Sequence, residues 1–182
     1  MIYRILEKYN TNITKRPILT KCITSFCTFS MGDFMSQMIE KNSNPSQKYN
    51  FLRTFKQGFF GFIVTPYLHM QFCKIMPYLL PGKGVVPTVK NIAYDQLIGA
   101  PIFLSFFFYY MDMANGLNFN QATEEFKKKF MPTLFMNWTI WPAIMAINFS
   151  IMPVPYRVLY ANITGMFWSV YLSFKQNSIS KK

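Results

Sequence analysis

Asn137-Trp138-Thr139-Ile140-Trp141-Pro142, then Asn148-Phe149, Pro153 and Arg157, and last Trp168-Ser169-Val170-Tyr171-Leu172-Ser173, decide how the whole chain is read. Two uncharged runs flank a single arginine. Residues 130–156 are 27 positions without Asp, Glu, Lys or Arg, and residues 158–174 are a further 17. A hydrocarbon layer of roughly 30 Å needs about 20 mostly apolar residues in a helix. The first run is long enough to cross such a layer and the second is just long enough. Arg157, close behind Pro153 and Pro155, therefore reads as a tight corner between two membrane helices.

The rest of the chain supports a membrane reading. Only 14% of its 182 residues are charged and 19% are aromatic, where about a quarter charged is usual for soluble domains. Mean hydropathy is a modest +0.13, because Asn, Gln, Lys and Thr are scattered throughout. The length fits one domain, residues 1–182. The net charge of +12 would suggest nucleic acid in a soluble protein. Here the basic residues are spread over every loop and both ends. That spread favours a lipid bilayer with anionic headgroups as the partner and disfavours nucleic acid. Cys22, Cys27 and Cys73 form neither a disulfide framework nor a metal spacing.

Working outward from the final quarter gives five candidate membrane segments, at about 17–39, 55–80, 87–113, 130–152 and 157–174. Residues 1–16 precede them. Ile2, Ile5, Leu6 and Tyr9 lie on one side of this stretch and Arg4, Glu7 and Lys8 on the other. It is expected to form an amphipathic helix in the membrane interface. In the first segment, Lys21 is expected to snorkel to the surface, whereas Asp33 and Gln37, one turn apart, must face the interior. Gly58 and Gly61 give the second segment a small face for close helix approach. Pro66 interrupts its hydrogen-bond ladder. Pro101 and Pro142 fall inside the third and fourth segments, a hint of a loose repeat. Residues 120–129 read as an exposed helical lead-in, Glu124 and Glu125 preceding Lys127, Lys128 and Lys129 by one turn. The fold expected is a compact all-α bundle of four to five proline-kinked transmembrane helices. Every loop is basic, so charge does not set its orientation.

Ordered motifs along nearly the whole chain carry a resemblance. Met31-Gly32-Asp33 with Ser36-Gln37, then Arg53, Gly58, Gly61, Pro66 and His69, then Lys90, Asp95-Gln96 and Pro101 lead into Trp141-Pro142, Asn148-Phe149, Pro153, Arg157 and Trp168. This pattern resembles the family of twenty-two-kilodalton peroxisomal membrane proteins, also called the Mpv-seventeen type. The resemblance implies a small polytopic organelle membrane protein, most often of the mitochondrial inner membrane, with peroxisomal relatives. It further implies a channel-like protein for small solutes, tied to metabolite homeostasis and mitochondrial DNA maintenance. The chain departs from the family pattern at Thr65 (usually Gly), Gln71-Phe72 (usually Trp-Tyr) and Met145 (usually Gln). An alternative is a structural subunit of a larger inner-membrane complex, such as a respiratory complex or ATP synthase, with no transport of its own. In either case a homo-oligomer or a larger assembly is expected.

Candidate functional residues follow from the cost of charge at membrane depth: such groups face inward, pair, and often line pathways. Asp33, Gln37, Asn148 and Arg157 are expected to form one intramembrane polar network. A network that merely holds helices together is the competing expectation. His69, one turn after Pro66, is expected to bond a carbonyl freed by that proline rather than a metal. Trp141 is expected to brace the kink at Pro142. No nucleophile-and-base spacing and no phosphate loop is visible, so no enzyme, cofactor or metal is expected.

Overall fold

A computed structural model describes the backbone over residues 2–43 and 46–179, with side chains over 7–42 and 46–171. Among these residues the chain is all helix, without a strand. Six helices follow one another: α1 (Ile2–Lys15), α2 (Pro17–Ser43), α3 (51–79), α4 (Val85–Ala114), α5 (Phe119–Ser150) and α6 (Arg157–Ile179). Their boundaries have local causes. The Asn50 side chain accepts from Arg53 N and caps α3. Asn118 and Gln121 form a reciprocal capping box at the start of α5. Gly82 (φ 115°) and Gly84 (φ 108°) provide the left-handed turn between α3 and α4 that other residues resist.

Two helices are not uniformly α. α3 opens into a π turn over Gln71–Ile75, and α4 does so over Asp95–Gly99. Each π turn is followed, two residues on, by a proline, Pro77 or Pro101. Proline cannot donate to the preceding turn, and its ring clashes with the carbonyl four residues back. A wider turn accommodates that clash.

α2 lies along α3 and α6, α4 along α5, and α3 joins the two groups by touching α4. Phe60, Leu104, Phe107, Phe108 and Met111, with Phe29 and Trp168, pack one core cluster. Phe72, Met76, Met145, Phe149 and Val158 pack a second. Polar side chains share the interior with these clusters, and large apolar side chains face outward. Ser25, Asp33, Ser36, Gln57, Thr65, Gln71, Asn137, Asn148 and Asn162 are buried, whereas Ile23, Phe55, Phe59, Leu97, Phe135, Ile147 and Phe167 are exposed. Water-soluble domains bury few such polar groups. α4 and α5 are long and apolar enough to cross a membrane, yet only 33% and 22% of their apolar windows are buried in the bundle. A soluble core helix would be mostly buried.

Several sequence expectations need correction. The lead-in at 120–129 is continuous with the fourth segment as α5. Its Lys129 is buried and bonds the buried Asp112 at 3.0 Å, because α5 turns this residue toward α4. Lys21 does not snorkel. It is 1% exposed, since its side chain crosses from α2 to α3. Ile2, Ile5 and Leu6, the apolar side expected of α1, lie outside the described side chains.

Candidate functional site

The two π turns face each other, and the candidate site lies between them. Gln71, first residue of one turn, donates from Nε2 to Asp95 Oδ1 at 2.8 Å, and Asp95 is first residue of the other. Gln96 Nε2 donates to the second carboxylate oxygen at 2.8 Å. Asn137 of α5 donates to Gln96 Oε1 at 3.0 Å. The carboxylate is thus held by two amides, one of which is itself held by a third from α5. Gly99 makes the approach feasible. A Cβ there would run into Gln71 Nε2 and come 3.1 Å from Asp95 Oδ1.

Proline chemistry supplies a further link. In the π pattern Ala100 N donates to Asp95 O. The next residue, Pro101, has no N–H for Gln96 O. The Trp138 indole N–H takes that place, donating to Gln96 O at 2.9 Å.

A cavity of about 60 Å³ lies against this cluster. Asp95, Gln71, Gln96, Asn137 and Asn162 give it a polar lining, and Phe29, Met145, Trp141 and Trp168 an apolar one. Gln71 Oε1 and Trp141 Nε1 are buried there without hydrogen-bond partners. The volume is enough for a few water molecules, since a single water needs only about 10–15 Å³. Beneath Asn162, a hydroxyl chain runs from Asn162 Nδ2 to Ser25 Oγ (2.7 Å) and from Ser25 to Thr65 Oγ1 (2.6 Å).

The expected single network of Asp33, Gln37, Asn148 and Arg157 is divided into two pairs. Asp33 accepts from Gln37 Nε2 and Thr54 Oγ1 at 2.8 Å each. It also accepts from Arg53 Nε at 2.8 Å. Arg53 forks onto Glu40 at 2.7 and 2.8 Å. Asn148 and Arg157 pair elsewhere, Asn148 Nδ2 donating to Arg157 O at 3.3 Å. The Arg157 guanidinium lies over the Phe149 ring, 5.4 Å from its centroid. The division has a simple cause. Asp33 lies in the second half of α2, and Arg157 opens α6 at the bundle end where α2 begins.

The other motif residues fall into place around these groups. Gly32 meets Ser169 and the Met166 carbonyl of α6. Pro66 follows Thr65, whose hydroxyl bonds Gly61 O at 2.7 Å. His69 does not serve the carbonyl freed by Pro66. Its Nδ1 lies 2.9 Å from Lys21 Nζ, because its ring reaches across to α2. Trp141, beside Pro142, meets Trp168 edge-on at 6.2 Å and lines the cavity. Phe149 stands edge-on to Phe72 at 5.9 Å. Pro153 starts the turn Val154–Tyr156 that leads into α6. Gln71, Asn137 and Asn162 are the site residues the sequence reading missed.

A helical bundle with outward apolar faces and two helices long and apolar enough to cross a membrane has the character of a small integral membrane protein. Comparison with known proteins gives it a family. The Mpv17 / PMP22 family model matches residues 112–173. Protein SYM1 of Saccharomyces cerevisiae is 30% identical over 98% of this chain and 93% of its own length. Peroxisomal membrane protein 2 of Bos taurus is 34% identical over 93% of this chain and 88% of its own length. Protein SYM1 of Kluyveromyces lactis is 31% identical over 94% and 89%. The chain belongs to the Mpv17 / PMP22 family and is a membrane protein of an organelle, mitochondrial or peroxisomal. No solved structure matches it.

Proposed function

We propose that the chain is a channel-like protein of the mitochondrial inner membrane, caught here closed, whose pathway for small polar solutes passes through the chamber at Asp95. The observation that carries this reading is a buried carboxylate beside a cavity with unpartnered polar atoms, inside a bundle with apolar outer faces. A carboxylate kept at membrane depth is costly, and a purely structural bundle gains nothing from it that an apolar contact would not give. In this reading α2 to α6 are the spans and α1 lies in the interface. All five exceed the about 20 residues that a hydrocarbon layer requires. Solute flux of this kind would serve metabolite homeostasis and maintenance of mitochondrial DNA.

The test is conductance of the purified chain in planar bilayers, with Asp95→Asn beside it. The expected outcome is discrete openings for the native chain and altered ion selectivity for Asp95→Asn. Folded native protein that leaves the bilayer as tight as a protein-free control would overturn the reading. A structural role in a larger complex is favoured by a different observation. Phe55, Phe59 and Phe62 stack in a row along α3, with ring centroids 6.1 and 6.4 Å apart, and Phe55 and Phe59 face outward. Such a ridge suits another membrane chain. Co-migration in a large native complex at fixed stoichiometry, with no conductance, would select that role.

A further inference from the structure

At the end of the bundle where α2 begins, cationic side chains collect without anionic partners. Lys21 is 1% exposed. Its Nζ lies 2.9 Å from His69 Nδ1 and donates to Cys73 Sγ at 3.2 Å. Neither partner is a carboxylate. The Cys73 thiol donates onward to Val154 O at 3.3 Å, in the turn that leads directly into Arg157. Arg157 Nε is buried and has no hydrogen-bond partner, and the flank of its guanidinium rests on Phe149. Cys73 links the two cations through the chain, accepting from Lys21 and donating to Val154 O, three residues before Arg157.

The acids are elsewhere. Glu40, Asp112, Glu124 and Glu125 belong to the opposite end, where Lys56 of α3 meets Asn115 at the end of α4. Asp33 is twelve residues along α2 from Lys21, about 18 Å of helix. Asp95 is occupied by Gln71 and Gln96. Glu7 is exposed on α1. Among the described residues no carboxylate lies in ion-pair distance of Lys21, His69 or Arg157.

A buried ammonium without a counterion is costly and persists only with compensation. The Arg157 guanidinium, whose Nε has no partner, carries planar donors of the kind that fork onto a phosphate or carboxylate. We propose that Lys21 and Arg157, with His69 and Cys73 between them, form a binding site for a phosphate group. The group would be either free or the headgroup of an anionic phospholipid reaching the bundle end. This site is separate from the Asp95 chamber and does not depend on conduction.

The test uses the full-length chain in neutral detergent, followed by its thermal unfolding midpoint. One arm adds inorganic phosphate against sodium chloride of equal ionic strength. The other adds phosphatidic acid against phosphatidylcholine. The native chain is expected to show a saturable rise of about 5–10 °C at a hundredfold excess over Kd. A rise with inorganic phosphate identifies a soluble ligand, and a rise with phosphatidic acid alone identifies a lipid headgroup. Lys21→Met is expected to unfold at higher temperature than the native chain without ligand, because an unpaired charge has gone, and to lose the ligand-dependent rise. Arg157→Gln, which leaves the buried lysine in place, is expected to weaken binding at least tenfold. Absence of a saturable rise in both arms overturns the proposal. So does an equal rise in both variants.

Discussion

Arg53→Met is the most informative single change outside the chamber. Arg53 donates to Asp33, Ser36 and both oxygens of Glu40. Its removal leaves Asp33, fully buried, facing a methionine while keeping its bonds from Gln37 and Thr54. Breaking a buried ion pair from one side costs about 3–5 kcal/mol. The Arg53 and Glu40 side chains are each 12% exposed, so water reaches one end of the cluster and the low figure of about 3 kcal/mol applies. For a chain of this length that corresponds to a fall of roughly 6–12 °C in midpoint. Asp33→Asn in the same background removes the charge that has lost Arg53 as its partner. The double variant should therefore be less destabilised than the two single changes sum to, by about 2 kcal/mol. The assay is helical circular dichroism against temperature in neutral detergent, for all four chains of the cycle. An additive cycle, within about 0.5 kcal/mol, would refute the claim that Arg53 neutralises Asp33.

Other outcomes can be checked on the same preparations. Gly32→Ala places a methyl against Ser169 Oγ and 2.7 Å from the Met166 carbonyl, and should cost about 1–3 kcal/mol. Ser169→Ala should restore only part of this, because the carbonyl remains. Trp141→Phe gives up an N–H that has no partner and should stay within about 1 kcal/mol of the native chain. A larger loss would show that the indole is bonded after all.

The sequence made some of this legible. Uncharged runs located the helices, and Asp33 and Gln37, four apart, met as their spacing implied. The partners across helices were not legible, because spacing fixes which face a residue occupies and not which faces meet. Arg53, the partner of Asp33, sits on another helix, and Arg157 turned out to be at the far end from Asp33. Gln71, Asn137 and Asn162 looked like scattered amides in apolar runs. One signal for the first was present: Gln71 precedes Pro77 by six residues, as Asp95 precedes Pro101. The extra residue in each π turn also shifts the phase of everything after it, so a helical wheel drawn through either turn points half the side chains the wrong way.

That surplus residue makes the two helices unequal in what they tolerate. Removing one residue from an ordinary α-helix rotates all that follows by about 100° and slides it by about 1.5 Å. Removing one from Gln71–Ile75 or Asp95–Gly99 can be absorbed by closing the turn to a plain α pattern. The lengths of α3 and α4 are thus fixed everywhere except at the chamber, where shortening by a single residue changes the site and spares the bundle.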